Sequence, residues 1–161
     1  MPSASAWISV AAGVGICLAT YALYVEYMHA ADETFQAGCD IEWLGASCSS
    51  VFASDYGRMM SKLGLVSPGS SLDLPNAANG LIFYLAVLLL PSIPASSAVR
   101  EAVMLGAALL SAAASAYLGY VLAFVLGDFC VVCVSTYAVN AAILGLALSD
   151  FLSGRAKAKR S

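Results

Sequence analysis

Charged side chains divide this chain into long apolar runs. Residues 1–25 carry none before Glu26, 74–99 none before Arg100 and Glu101, 102–127 none before Asp128, and 129–149 none before Asp150. Each run exceeds the roughly 20 apolar residues that a helix needs to cross about 30 Å of hydrocarbon. Backbone amides in lipid have no water partner, so they must be bonded within helices. The pattern predicts an all-α membrane protein, a four-transmembrane-helix bundle with helices over 7–28, 76–94, 102–127 and 129–150. These form a single domain over 1–154, followed by a basic tail at 155–161.

The first run lacks a basic leading segment and is long for the apolar part of a signal peptide, so a retained helix is expected. Between the first two helices lies a connection over 29–75, too long to be a simple loop. It carries Trp43, Leu44, Val51, Phe52, Tyr56, Met59, Met60, Leu63, Leu65 and Val66, enough apolar surface to argue against disorder. The spacing from Val51 and Phe52 to Met59, Met60 and Leu63 predicts a short amphipathic helix. Behind it a lid against the membrane mouth is expected; an interfacial anchor is the plainer alternative. Pro91 and Pro94 should kink or stop the second helix. Ala107, Ser111, Ser115 and Gly119 make a small-residue stripe on the third helix, and Ala138, Ala142 and Gly145 repeat the idea on the fourth. Small residues let helix backbones approach in lipid.

Composition sharpens the orientation. Apolar residues make up 61% of the chain and charged ones only 11%, far below the roughly 25% of a soluble domain. Arg155, Lys157, Lys159 and Arg160 crowd the tail and Arg100 lies in the second connection, whereas the first holds Asp32, Glu33, Asp40, Glu42, Asp55 and Asp73 against Arg58 and Lys62. The positive-inside rule places tail and Arg100 turn in the cytoplasm. With four spans, both termini are cytoplasmic. The first connection and the Asp128-Phe129-Cys130 turn then share the opposite, oxidising side. Membrane lipid is the expected surroundings, the expected state is a monomer, and no nucleic-acid partner is expected.

That orientation gathers four of the five cysteines. Cys39 and Cys48 lie in the large connection, and Cys130-x-x-Cys133 opens the fourth helix; Cys17, inside the first, reads as a small packing residue. Two readings stand. The pairs are structural staples, or they are redox-active, because C-x-x-C motifs and helix N-termini lower thiol pKa and favour exchange. Two pairs would also allow a relay from a soluble donor to a membrane-fixed acceptor. A zinc site is disfavoured by the oxidising side and the missing histidines, so no metal is expected.

Asn76 opens the second helix, either as its N-cap or as a hydrogen-bonding group for a ligand. Tyr137 shares a helix face with Cys133, one turn on, and is either part of an interfacial belt or a ligand-facing hydroxyl. Asn140 is deeper, where an amide usually bonds another helix. His29, the single histidine, reads as a surface residue. The sequence holds no Ser-His-Asp set, phosphate loop or metal triad.

Several segments together resemble the vitamin K epoxide reductases. They are Gly38-Cys39-Asp40, Ser47-Cys48-Ser49-Ser50-Val51-Phe52, Tyr56-Gly57-Arg58, Asn76 with Gly80 and Ile82-Phe83-Tyr84, and Asp128-Phe129-Cys130 with Cys133, Thr136-Tyr137-Ala138 and Asn140. Order and spacing match over nearly the whole chain, closest to the single-domain, animal-type enzymes. The resemblance implies a four-helix bundle around a quinone pocket at the lumenal side. It makes Cys130 and Cys133 the active pair, with Cys133 attacking the quinone or epoxide. Cys48 would exchange with Cys130, and Cys39 would resolve Cys48 and accept electrons from a thioredoxin-fold partner. Asn76 and Tyr137 would hydrogen-bond the oxygenated positions of the ring, while Phe52, Tyr56 and Phe83 would wall the pocket or its lid. No tightly bound cofactor is implied; vitamin K quinone or its epoxide is the substrate, and 4-hydroxycoumarins such as warfarin are the expected inhibitors. The tail resembles a K-x-K-x-x retrieval signal at Lys157 and Lys159, which implies the endoplasmic reticulum membrane. Three features depart from the animal pattern. The Cys39–Cys48 segment is one residue longer, Tyr56 stands where tryptophan is usual, and Asn79 where an apolar or aromatic residue is usual. Two alternatives remain: a disulfide-generating oxidase using ubiquinone or menaquinone, and a non-enzymatic four-span scaffold with a stapled loop.

Overall fold

The structure, a computed structural model, describes residues 4–41 and 45–158; Trp43, Leu44 and the end of the tail lie outside the described residues. Helix α1 spans Ala4–Ala31, and α2 (Cys48–Ala53) and α3 (Met59–Lys62) lie in the large connection. Then follow α4 (Asn76–Leu89), α5 (Ser97–Tyr120) and α6 (Val131–Ala158). No strand occurs among the described residues; isolated bridges join Ile41 to Ala46 and Ala46 to Phe129.

Among the described residues, three helical stretches are long and apolar enough to cross a membrane: Ala4–Ala31, Ser97–Leu126 and Val131–Ala156. The second of the expected four is shorter. Helix α4 stops at Leu89 and passes into a 3-10 turn over Leu90–Ser92, because Pro91 has no N–H to continue an α-helical ladder. Together they cover about 27 Å, a little less than a typical hydrocarbon core. Helix α5 starts earlier than expected. Ser96 caps it by accepting a hydrogen bond from the Val99 amide, so Arg100 and Glu101 lie inside its first turns rather than outside it.

Helix α6 packs against α5 and α1, and α1 packs against α4. The α1–α4 contact depends on Gly15, whose missing side chain leaves room for the Tyr84 ring. Tyr84 is almost wholly buried and donates to Asn140 Oδ1 (2.7 Å), and Asn140 Nδ2 donates to Ser115 Oγ (2.8 Å). One polar chain thus ties α4, α6 and α5 in the buried interior, and the expected interhelical role of Asn140 is observed. The stripe on α5 faces inward, with Ser115 buried and Gly119 against the Tyr137 ring. The stripe expected on α6 does not: Ala138, Ala142 and Gly145 are exposed, and the helix buries Asn140, Ile143 and Ala147 instead. The Asn140 hydrogen bonds fix that rotation; alanines have no comparable preference between lipid and protein.

Among the described residues the core has two parts. Ile8, Ala12, Ala19, Tyr84, Val87, Ala108, Ile143 and Ala147 fill the bundle. Ala22, Val25, Ala37, Cys48, Leu122, Cys130 and Val132 form a second cluster where helix ends meet the large connection. The single amphipathic helix expected there is instead broken into α2, a 3-10 turn over Asp55–Gly57, and α3. Ser54 is extended (φ −70°, ψ 156°) and its hydroxyl bonds the Val51 carbonyl (2.7 Å), which ends α2. Leu63 and Leu65 are exposed. Arg58 ties the segment down by pairing with Glu26 of α1 (3.9 Å) and donating to the Asp73 carbonyl.

Candidate redox site

The fourth helix begins at a sharp corner. A π-helical turn over Val121–Leu126 extends α5 and ends at Gly127, whose φ of +67° is a left-handed conformation suited to glycine. Asp128 and Phe129 then lead to Cys130, which immediately precedes α6. The Cys133 amide points at Cys130 Sγ (3.2 Å), as a third-position amide does toward a capping side chain. Unpaired amides and the helix dipole favour negative charge there, so a thiolate at Cys130 would be stabilised. Cys130 is fully buried, Cys133 partly exposed, and the two form a disulfide with Cα atoms 5.2 Å apart.

A second disulfide joins Cys39 to Cys48, Cα atoms 6.0 Å apart. The residue after each cysteine braces the pair. Asp40 accepts from the Ser49 hydroxyl (2.6 Å), the Ser49 amide (3.0 Å) and the Ala37 amide (2.9 Å). Partial burial pushes the Asp40 carboxyl up, but the hydrogen bonds from Ser49 and Ala37 outweigh it and hold it below the usual carboxylate range. Ligand-type atoms of Cys39, Asp40 and Cys48 lie within 4.8 Å of one another. Both sulfurs are bonded to each other, so this arrangement is a brace rather than a metal centre.

The two disulfides meet. Ser47 N–H donates to the Phe129 carbonyl (2.9 Å), Ser50 Oγ donates to Asp128 Oδ2 (3.0 Å), and Cys48 Sγ rests 3.6 Å from Cys130 Sγ. Residues 82 apart in sequence thus bring a loop sulfur against a helix-mouth sulfur, and a thiolate on either side has a disulfide sulfur to attack.

The other candidates divide. Phe52, Cys39, Cys133 and Tyr137 pack around the second cluster with Cys48 and Cys130. Tyr137's hydroxyl has no hydrogen-bond partner among the described residues. Asn76 is not a cap, since Pro75 holds that position and no side chain caps the helix. Its amide instead ties α4 to the connection: Oδ1 accepts from the Met59 amide (2.8 Å) and Nδ2 donates to the Tyr56 carbonyl (2.6 Å). Tyr56 carries Lys62 over its ring (4.9 Å). Phe83 lies apart, packed on the bundle cluster with its ring 5.2 Å from that of Tyr84. Cys17 faces outward from α1 rather than packing inside, and takes no part in a disulfide. His29 is half-buried in the last turn of α1, and its Nδ1 lacks a partner among the described residues.

Ser49, Ser50 and Asp128 were not singled out as site residues by sequence reasoning. The available signal was position: an aspartate directly follows Cys39, two serines follow Cys48, and another aspartate stands two residues before Cys130.

A sequence model described as the Vitamin K epoxide reductase family matches residues 6–148. Among curated relatives, the chain is 38% identical over 138 residues to vitamin K epoxide reductase complex subunit 1 of Mus musculus, covering 85% of this chain and 82% of that protein. It is 39% identical over 134 residues to the protein of the same name from Rattus norvegicus, covering 81% and 80%. A match over most of the chain, to proteins covered over most of their own length, places this helical, twice-disulfide-bonded oxidoreductase in the vitamin K epoxide reductase family.

Proposed function

We propose that this chain is a four-span membrane thiol-disulfide:quinone oxidoreductase that reduces vitamin K epoxide, vitamin K quinone or both. The observation that carries this reading is the 3.6 Å contact between Cys48 and Cys130, which links the two cysteine pairs into one path. Electrons enter from a thioredoxin-fold dithiol partner at Cys39, leaving Cys39 and Cys48 reduced. The Cys48 thiolate attacks Cys130, breaking the Cys130–Cys133 bond and releasing Cys133 as a thiolate. Cys39 then attacks Cys48, re-forming the Cys39–Cys48 disulfide and freeing Cys130.

With an epoxide, Cys133 attacks a ring carbon and the C–O bond opens to an oxyanion, which takes up a proton. Cys130 then attacks the Cys133 sulfur, the carbon–sulfur bond breaks, and hydroxide leaves. The products are quinone, water and the Cys130–Cys133 disulfide, so two electrons and two protons are accounted for. Asn76 and Tyr137 stabilise the developing oxyanion. An amide has two N–H donors; one Asn76 N–H holds the Tyr56 carbonyl, which leaves the other for substrate. The same amide fixes the lid segment over the mouth, with Phe52 and Tyr56 as lid walls and Phe83 deeper. Donors already fixed in a dry site cost little reorganisation as charge develops.

The acidic connection and the basic tail support a lumenal site with cytoplasmic termini in the endoplasmic reticulum membrane. The test is turnover of epoxide and of quinone by purified protein in detergent with dithiothreitol, with and without warfarin. Warfarin-sensitive epoxide turnover is expected. Quinone turnover alone would indicate a disulfide-generating oxidase, and turnover of neither would leave a scaffold.

A further inference from the structure

A disulfide and the hydrogen bonds of Asp40 hold the Cys39–Cys48 segment to itself. Apolar packing seats it against the helices, and among the described residues two hydrogen bonds tie it to the turn before Cys130. The Ser47 amide to Phe129 carbonyl bond is one such point. A single backbone bond permits pivoting, and a pivot moves Cys48, the next residue, off Cys130. Ser50 Oγ to Asp128 Oδ2 is a second point. Ser50 follows Cys48 by two residues and Asp128 precedes Cys130 by two, so this side-chain pair and the backbone bond bracket the 3.6 Å sulfur contact. Gly127, left-handed at the start of the turn, presents Asp128 toward α2.

We infer that Ser50 and Asp128 are positioning residues, a clamp that sets Cys48 in register with Cys130 for disulfide exchange. This rests on the relay proposed above. The clamp takes no electrons or protons; it raises the effective concentration of one thiol at one disulfide sulfur.

A Cys39→Ser chain tests it without a partner protein. With Cys39 gone, Cys48 and Cys133 compete for Cys130, so the ratio of Cys48–Cys130 to Cys130–Cys133 disulfide in a glutathione redox buffer reads the docking directly. Mass spectrometry of proteolysed, alkylated protein in detergent gives that ratio. Ser50→Ala, and separately Asp128→Ala, should lower it roughly two- to tenfold, the worth of one hydrogen bond. The double variant should fall no further than either single one, and Ser50→Thr, which keeps the hydroxyl, should restore the ratio. An unchanged ratio in Ser50→Ala would overturn the clamp while leaving the relay intact. Failure of the Cys39→Ser chain with Ser50 and Asp128 intact to form any Cys48–Cys130 disulfide would overturn the relay itself. Should Asp128→Ala not fold, the exposed Ser50 substitutions still decide the matter.

Discussion

Removing the Asn76 side chain amide should loosen the segment it ties before it affects the helix that carries it. Asn76→Ala deletes the acceptor for the Met59 amide (2.8 Å) and the donor to the Tyr56 carbonyl (2.6 Å). Each net hydrogen bond contributes about 0.5–1.5 kcal/mol, so local opening around Tyr56 to Lys62 should become easier by about 1–3 kcal/mol. A factor of ten corresponds to about 1.4 kcal/mol, which makes the expected rise in Met59 amide exchange roughly fivefold to a hundredfold. Hydrogen–deuterium exchange on ligand-free protein in detergent, followed in peptides covering 56–62, measures it. Asn76→Asp keeps an acceptor for Met59 but turns an oxygen toward the Tyr56 carbonyl, so it should protect Met59 better than alanine does. The bundle interior around Tyr84 should be unchanged in both. Unaltered Met59 protection in Asn76→Ala would show that the amide does not hold this segment, and the dual role proposed for Asn76 would fall with it.

Gly15→Ala places a methyl group in the Tyr84 ring, so α1 must shift from α4. Overpacking of this kind costs about 1–3 kcal/mol, visible as a lower thermal midpoint in detergent; an unchanged midpoint would refute the contact. Tyr84→Phe removes the bond to Asn140 and should cost about 0.6 kcal/mol, at most ~2, in the same assay, while a midpoint at or above the parent's would argue against the polar chain. Asp40 has a depressed folded-state pKa through its Ser49 and Ala37 hydrogen bonds. Its stabilisation is therefore present above the unfolded value of about 3.9 and lost as pH falls through the folded one. Protease resistance of the Cys39–Cys48 segment should be flat from pH 8 to about 5 and fall only in stronger acid; a loss between pH 7 and 6 would contradict this.

The helices were legible because charge is excluded from hydrocarbon, and an uncharged run reports that exclusion residue by residue. Their ends were less so, because a cap such as Ser96 or a proline such as Pro91 acts over one turn and outweighs the mean hydropathy around it. Helix rotation was partly legible. Ser115 and Asn140 declare an inward face through their polar atoms, whereas Ala138 and Ala142 fit lipid and protein equally well and proved exposed. The broken helix between Val51 and Leu63 shows the limit of periodicity: apolar spacing survived, but the Ser54 hydroxyl offered the backbone another partner. The cysteine pairs were visible from spacing and charge. Which sulfurs meet was not, because Cys48 and Cys130 are brought together by contacts such as Ser50 to Asp128, 78 residues apart; only family resemblance anticipated that exchange. The bracing of Asp40 on Ser49 is likewise tertiary, arising where two chain segments cross.

The central claim is that Cys133 is the nucleophile and Cys130 resolves it. Incubating a reduced Cys130→Ser chain with vitamin K epoxide, then taking the intact mass and mapping the modified residue, tests this most directly. The account predicts a covalent adduct on Cys133 that accumulates because no neighbouring thiol releases it, and no adduct when Cys133→Ala is added. Full turnover by Cys133→Ala, or a stoichiometric adduct on any other cysteine, would contradict it.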